Sequence, residues 1–437
     1  MFRRFGPTLI ALTLLTHGCA ESPPGSKPPS AQPDAEVAES GTANLFTMGQ
    51  EARQAKDNED WVAAHAVYLQ ALEVAPKHPI VYERIAEMEV RLERFDDAVA
   101  HLATMARLGG TTPQIDQPPF EPLTDHPGFA AVAEQIRANG APQESAEIFV
   151  TFDDNRLSPE GIAWDAETGD LFTGSFLLNK IVRITPDGTV SDLGESASHG
   201  LGAVLGMWVD ASRRELWAVA GSTSMEEMTH PAELVRYNVD TEELVARYLA
   251  PETDQVLLVN DVVVTPDGTA WLSESLVGGL YRVRPGSAEL ELFVALPQFG
   301  FANGVAASDD GQTIYIGHAE GLSAIDSKTG VVETVEPQGE FTLVSADGLS
   351  WADGALILVQ NQPSLNNRVI HVTLDPSGRK AMDFRQLSAG LPPGLEPYTS
   401  AVAGDVVYVT ASPPIGPEGE SATDAPRPAI ARLPLGP

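Results

Sequence analysis

The sequence predicts a mainly β fold: a six-bladed β-propeller preceded by a small N-terminal α-helical domain. Three observations predict it. From Ile148 onward, helical spacing gives way to short runs of Val, Ile, Leu, Tyr and Trp. Turn triplets separate those runs, as in Pro186-Asp187-Gly188, Pro266-Asp267-Gly268, Asp309-Asp310-Gly311 and Pro376-Ser377-Gly378. A two-strand unit then recurs six times, starting at Glu160, Gly206, Asn260, Asn303, Asp347 and Thr399, which is every 43 to 54 residues. That is the spacing of propeller blades.

Taken in order, the chain opens with a segment outside the fold. Arg3 and Arg4 precede the apolar run Leu9–Leu15, which is too short to span a bilayer and reads as an export signal over residues 1–19. The chain's single cysteine, Cys19, ends it. The segment resembles a bacterial lipoprotein signal, which implies lipidation of Cys19 and a membrane attachment at the cell envelope, facing the periplasm or exterior. Ala20 rather than Asp after the cysteine points to the outer membrane. Residues 20–42, rich in Pro, Ser, Gly, Ala and Glu, read as a disordered tether. One cysteine leaves no intrachain disulfide and no Cys-based zinc cluster. With 27 Lys and Arg against 61 Asp and Glu, the net charge of -34 argues against nucleic acid as a partner.

Residues 43–112 carry apolar and small residues at helical spacing and repeat at 34 residues, aligning Ala52, Ala64 and Tyr68 with Ala86, Ala98 and Leu102. They resemble two tetratricopeptide repeats. That implies either a groove for a protein partner or a short packing appendage. Two repeats bury little core alone, so they are expected to lean on a further helix, Pro127–Asn139 in the connector 113–146, or on the domain that follows.

The propeller is expected over 147–437. The first strand of each blade lines the channel, so the unit starts converge there. Four of them carry an oxygen-bearing side chain: Glu160, Asn260, Asn303 and Asp347. These are hard donors suited to calcium, or to another divalent metal that prefers oxygen. Asn-Gly and Asp-Gly are also ordinary turn pairs, so a structural reading stands beside the metal one.

On Ser158-Pro-Glu-Gly-Ile-Ala-Trp-Asp, Asn260-Asp-Val-Val-Val-Thr-Pro-Asp-Gly, Asn303-Gly-Val-Ala-Ala-Ser-Asp-Asp-Gly and Asp347-Gly-Leu, residues 158–413 resemble the six-bladed propellers that include senescence marker protein, gluconolactonase and regucalcin. The resemblance implies a catalytic calcium held by Glu160, Asn303 and Asp347, with Asn260 on the metal or the substrate. It also implies hydrolysis of lactones or related esters, with Asp347 as base or nucleophile. Asn361, after the strand ending at Val359, is a further candidate to face substrate. No histidine base is carried over: Gly206-Met207 stands where some relatives place His-Gly, and His199 lies in the preceding loop. The alternative function is a non-catalytic scaffold binding a protein or glycan.

Overall fold

The structure, a computed structural model, describes residues 44–143, 146–222, 230–414 and 425–436. The signal-like segment, Cys19 and the tether 20–42 lie outside the described residues.

The β region forms six sheets, each antiparallel from strand to strand along the blade. A short parallel addition, Glu336–Pro337, lies beside the outer strand of the fifth. The inner strands are Pro159–Trp164, Ala203–Asp210, Val259–Val264, Val305–Ala307, Ala346–Ala352 and Glu396–Ala403. Each packs on the next, and the last packs on the first, so the ring closes. The six-bladed propeller read from the repeat is therefore the fold.

Closure uses a strand that the repeat does not announce. Glu147–Thr151 pairs with Ala429–Pro434 as the outer strand of the sixth blade. The chain then runs straight into the inner strand of blade one, which ties the two ends of the propeller together.

The core is divided into wedges between blades. Phe172, Val204 and Leu216 pack between blades one and two. Leu322, Leu349 and Leu358 fill the space between blades four and five, where Tyr315 and Trp351 stack at 5.6 Å. Each blade hides both faces against its neighbours, which is why the strands read as near-continuous apolar runs. The turns away from the channel mouth carry the predicted triplets. Gly188 and Gly268 adopt φ of 82° and 87°, and Asp267 accepts from Thr265 Oγ1 at 2.7 Å and Thr269 N at 3.0 Å.

Four helices follow one another at the N-terminus: Leu45–Asp57, Trp61–Val74, Pro79–Arg91 and Phe95–Arg107. A fifth, Phe129–Asn139, packs its Phe129, Ala133 and Ile136 against Leu102 and Met105. The aligned small residues Ala52, Ala64, Ala86 and Ala98 are all fully buried where helices meet. This domain packs on the fifth helix and on the propeller as well. Leu45 N donates to Glu320 Oε1 at 3.0 Å, and Lys77 Nζ donates to the Pro337 and Gly339 carbonyls at 2.7 and 2.8 Å. Thr111 N donates to the Ser364 carbonyl at 2.8 Å. Ala319 of the propeller packs into the helical core. The helices therefore sit on the loops of blades four and five at the end where the inner strands begin. Among the described residues no helix is long and apolar enough to cross a membrane.

Candidate active site at the start of the inner strands

The site grows out of a repeated irregularity. Five inner strands slip register by one residue at the same place: between Pro159 and Ile162, Val204 and Met207, Val259 and Val262, Ala346 and Gly348, and Pro397 and Ser400. In the fourth blade, Asn303-Gly304 occupies the corresponding place just before its strand. Such bulges re-aim a side chain out of the sheet. The first residues of these places form a ring: Glu160, Leu205, Asn260, Asn303, Asp347 and Tyr398.

The residue after each ring position faces the next blade. A Cβ on Gly161 would lie 1.9 Å from the Leu205 carbonyl oxygen, one on Gly206 2.2 Å from Asp261 Oδ1, and one on Gly348 2.6 Å from Thr399 Cα. Where the second residue is larger, it bonds across the seam. Asp261 Oδ2 accepts from Val305 N at 2.9 Å, and Thr399 Oγ1 donates to the Glu160 carbonyl at 2.5 Å. The glycines of Glu-Gly, Asn-Gly and Asp-Gly are thus needed for the close approach of blades. None of Gly161, Gly304 and Gly348 has a positive φ, so the turn reading of these pairs is corrected.

Three of the predicted residues come into direct contact. Asn303 Nδ2 donates to Asp347 Oδ1 at 2.5 Å, and Asn361 Nδ2 donates to Asp347 Oδ2 at 3.2 Å. Glu160 joins them electrostatically. It is 4% exposed, and its Oε2 is buried without a hydrogen-bond partner. Burial, then the charges of Asp347 and Asp261, push its carboxyl well above the usual range. Asp347, 5% exposed, is pushed up to about 8, chiefly by burial; its two amide donors oppose the shift, and Asp261 and Glu396 add to it. Asn260 reaches the same ring position, but its Nδ2 donates to Ser275 Oγ at 3.0 Å and not to the carboxylates.

Three residues of this cluster went unread in the sequence. Asp261 is buried, and its pKa is pushed up by burial to about 7. Glu396 accepts from Asn367 Nδ2 at 3.4 Å and is shifted up by burial. Tyr398 takes the sixth ring place, one before the unit start read at Thr399. Its hydroxyl is held protonated by burial and by the charges of Glu396, Asp347 and Glu160. In blade two the ring residue is Leu205, one before Gly206. A glutamate and tyrosine around a proline give no donor-glycine signal, although the blade spacing points to Tyr398 once the bulge is known. His199 is turned elsewhere, its Nδ1 lying 3.0 Å from the Tyr237 hydroxyl in the third strand of blade two.

Among the described residues no group of three or more His, Cys, Asp and Glu side chains is placed to hold a metal by itself. The candidate set depends instead on two carboxylates and the amides beside them. It fits a hard divalent cation on one observation above all: the buried acids Glu160, Asp347 and Asp261 lie close enough to raise one another's pKa, and Glu160 Oε2 has no hydrogen-bond partner. Below the ring, a cavity of about 270 Å³ begins at Asp261 and Thr399 and continues past Trp164, Trp208 and Trp351 toward the far end of the inner strands.

No protein-family model and no curated protein matches the chain. Solved structures with a similar course include a gluconolactonase from Xanthomonas campestris, at 18% identity over 68% of this chain and 92% of that one, with a TM-score of 0.44. A calcium-binding regucalcin from Agrobacterium tumefaciens aligns at 15% identity over 65% and 94%, with a TM-score of 0.44. A virginiamycin B lyase from Staphylococcus aureus aligns at 16% identity over 67% and 99%, also at 0.44. Likeness at this level says nothing of chemistry, so the functional reading rests on the side chains.

Proposed function

We propose that the chain is a calcium-dependent hydrolase of lactones or related esters, exported and held at the bacterial cell envelope through a lipid on Cys19. The observation that carries the catalytic part is the Asp347 carboxylate, buried between the amides of Asn303 and Asn361 and beside the unpartnered oxygen of Glu160. Glu160, Asn303 and Asp347, with Asn260 at the next ring position, would hold the ion. When bound, the ion supplies a Lewis acid for the substrate carbonyl oxygen.

The protein's own groups account for the remaining requirements. Asn303 and Asn361 fix the Asp347 carboxyl in one orientation and favour its ionised form, in which it can take a proton from an attacking water or attack the carbonyl carbon itself. Tyr398, which stays protonated, can donate to an oxygen that gains charge. Burial of the acids keeps bulk water from weakening these interactions.

A panel of lactones and carboxylic esters, assayed with and without a chelator, tests the reading. It expects turnover that the chelator removes and calcium restores. Asp347→Ala should lower kcat by about 10²–10⁴-fold, the range of a lost acid–base group. Turnover that ignores both chelator and Asp347→Ala would sink the catalytic role. The absence of turnover on every substrate, with the ion bound, would favour the scaffold.

A further inference from the structure

The loop that carries Asn361 also carries the docked helical domain. It joins strands Ala355–Gln360 and Arg368–Leu374 of blade five. Both its ends reach the acid cluster: Asn361 Nδ2 donates to Asp347, and six residues on, Asn367 Nδ2 donates to Glu396 Oε1 at 3.4 Å. Its middle faces the opposite way. The Ser364 carbonyl accepts from Thr111 N at 2.8 Å, and Asn366 Nδ2 donates to the Ala141 carbonyl at 3.4 Å. Helix Pro79–Arg91 packs on Pro363–Leu365. The loop is a single layer of chain between the helices and the carboxylates.

Two features stand where the loop meets the helices. Asn366 and Asn367 stand consecutively in the left-handed region, with φ of 58° and 44°. Asparagine tolerates this conformation better than most residues, and the pair fixes how the chain turns back into Arg368–Leu374. Next to them is Arg368, 3% exposed, whose Nε donates to Gln360 Oε1 at 2.7 Å. Among the described residues it has no carboxylate partner, and burial alone lowers its pKa to about 10, so it stays charged at neutral pH. It meets the Phe384 ring, 5.5 Å from its guanidinium carbon, and the end of helix Phe95–Arg107, where a Cβ on Gly109 would lie 2.8 Å from its Nη1. A helix C-terminus carries partial negative charge. Undocking the helices would take the helix end away from this cation and uncover that side of it.

We propose that Arg368 and Asn366 are positioning residues, through which the helical domain sets where Asn361 and Asn367 hold Asp347 and Glu396. A partner or lesion that shifts the helices would therefore act on the site, and changes in the site would be felt in the helices. The site's role rests on the proposed function, but the coupling does not, and the test separates them. Hydrogen exchange read by mass spectrometry on the purified full chain needs no metal. Asp347→Ala should speed exchange at 361–368 and also at 109–112 in the helical domain. Arg368→Gln should speed exchange at 361–368 and weaken calcium binding by about 10-fold, a typical coupling between linked sites. Asn366→Gly accepts the left-handed backbone and removes only the Ala141 contact, so it should give the same two changes in a protein that folds. Unchanged exchange at 109–112 in Asp347→Ala overturns the inference. So does wild-type calcium affinity in a folded variant whose loop exchanges faster. Should the wild type bind no calcium, the proposed function fails, and the exchange result alone decides the coupling.

Discussion

The Asp347 carboxyl has two amide donors and three acidic neighbours, Asp261, Glu396 and Glu160, and Glu160 has an oxygen with nothing to bond to. Buried like charges that converge this way resist ionising together unless a cation joins them. Glu160→Gln removes one of those charges while keeping the shape. It should weaken calcium binding by about 10–100-fold in a calorimetric titration yet leave the calcium-free protein at least as stable in urea. A loss of stability instead would mean that Glu160 serves the fold. Most residues legible in sequence were those where an oxygen donor precedes Gly or Asp, and Asn361 was legible from its place after a strand. Glu160, Asn303 and Asp347 met that description and converge, while Asn260 met it and is held by Ser275. Tyr398 was illegible because its place depends on a bulge that two strands' pairing creates, and Glu396, in regular register just before it, has no neighbouring residue type that marks it.

At the scale of the element, the inner strand does two jobs with adjacent residues. One residue of each bulge points to the ring, and the next lets the neighbouring blade approach. Gly161→Ala tests this division. Its Cβ would meet the Leu205 carbonyl oxygen at 1.9 Å, and backbone must move to admit it. A loss of about 1–3 kcal/mol or more is expected from urea denaturation, the usual range for overpacking. A neutral substitution would contradict the close contact. The six inner strands were readable because their apolar runs and turn triplets recur. The closing strand Glu147–Thr151 was not readable as such, since its partner Ala429–Pro434 lies at the other end of the chain and the pairing has no local signal.

For the whole molecule, the acid cluster links stability to pH. Asp347 and Asp261 have folded-state pKa values of about 8 and about 7, and Glu160 is shifted in the same direction. The native state therefore holds more protons than the unfolded chain between about pH 4 and 8. The calcium-free protein should be favoured by this cluster at the acid end of that window and lose that contribution as pH rises through 8. Thermal melting with a chelator against melting with excess calcium, across that range, checks the sign: the gap between the two curves should widen with pH. A gap that is constant or narrows would place calcium away from these acids. The helical domain belongs at this scale too. Its helices were legible, but its seat on blades four and five was not, because Lys77, Thr111 and Leu45 bond to carbonyls and to Glu320 across long stretches of sequence.

The most direct measurement is calorimetric titration of the chelator-treated chain with calcium, wild type beside Asp347→Ala. One ion per wild-type chain is expected, with binding lost or weakened at least about 100-fold in the variant. A wild type that takes up no calcium, or a variant that binds it equally well, would contradict the assignment of the ring as its site.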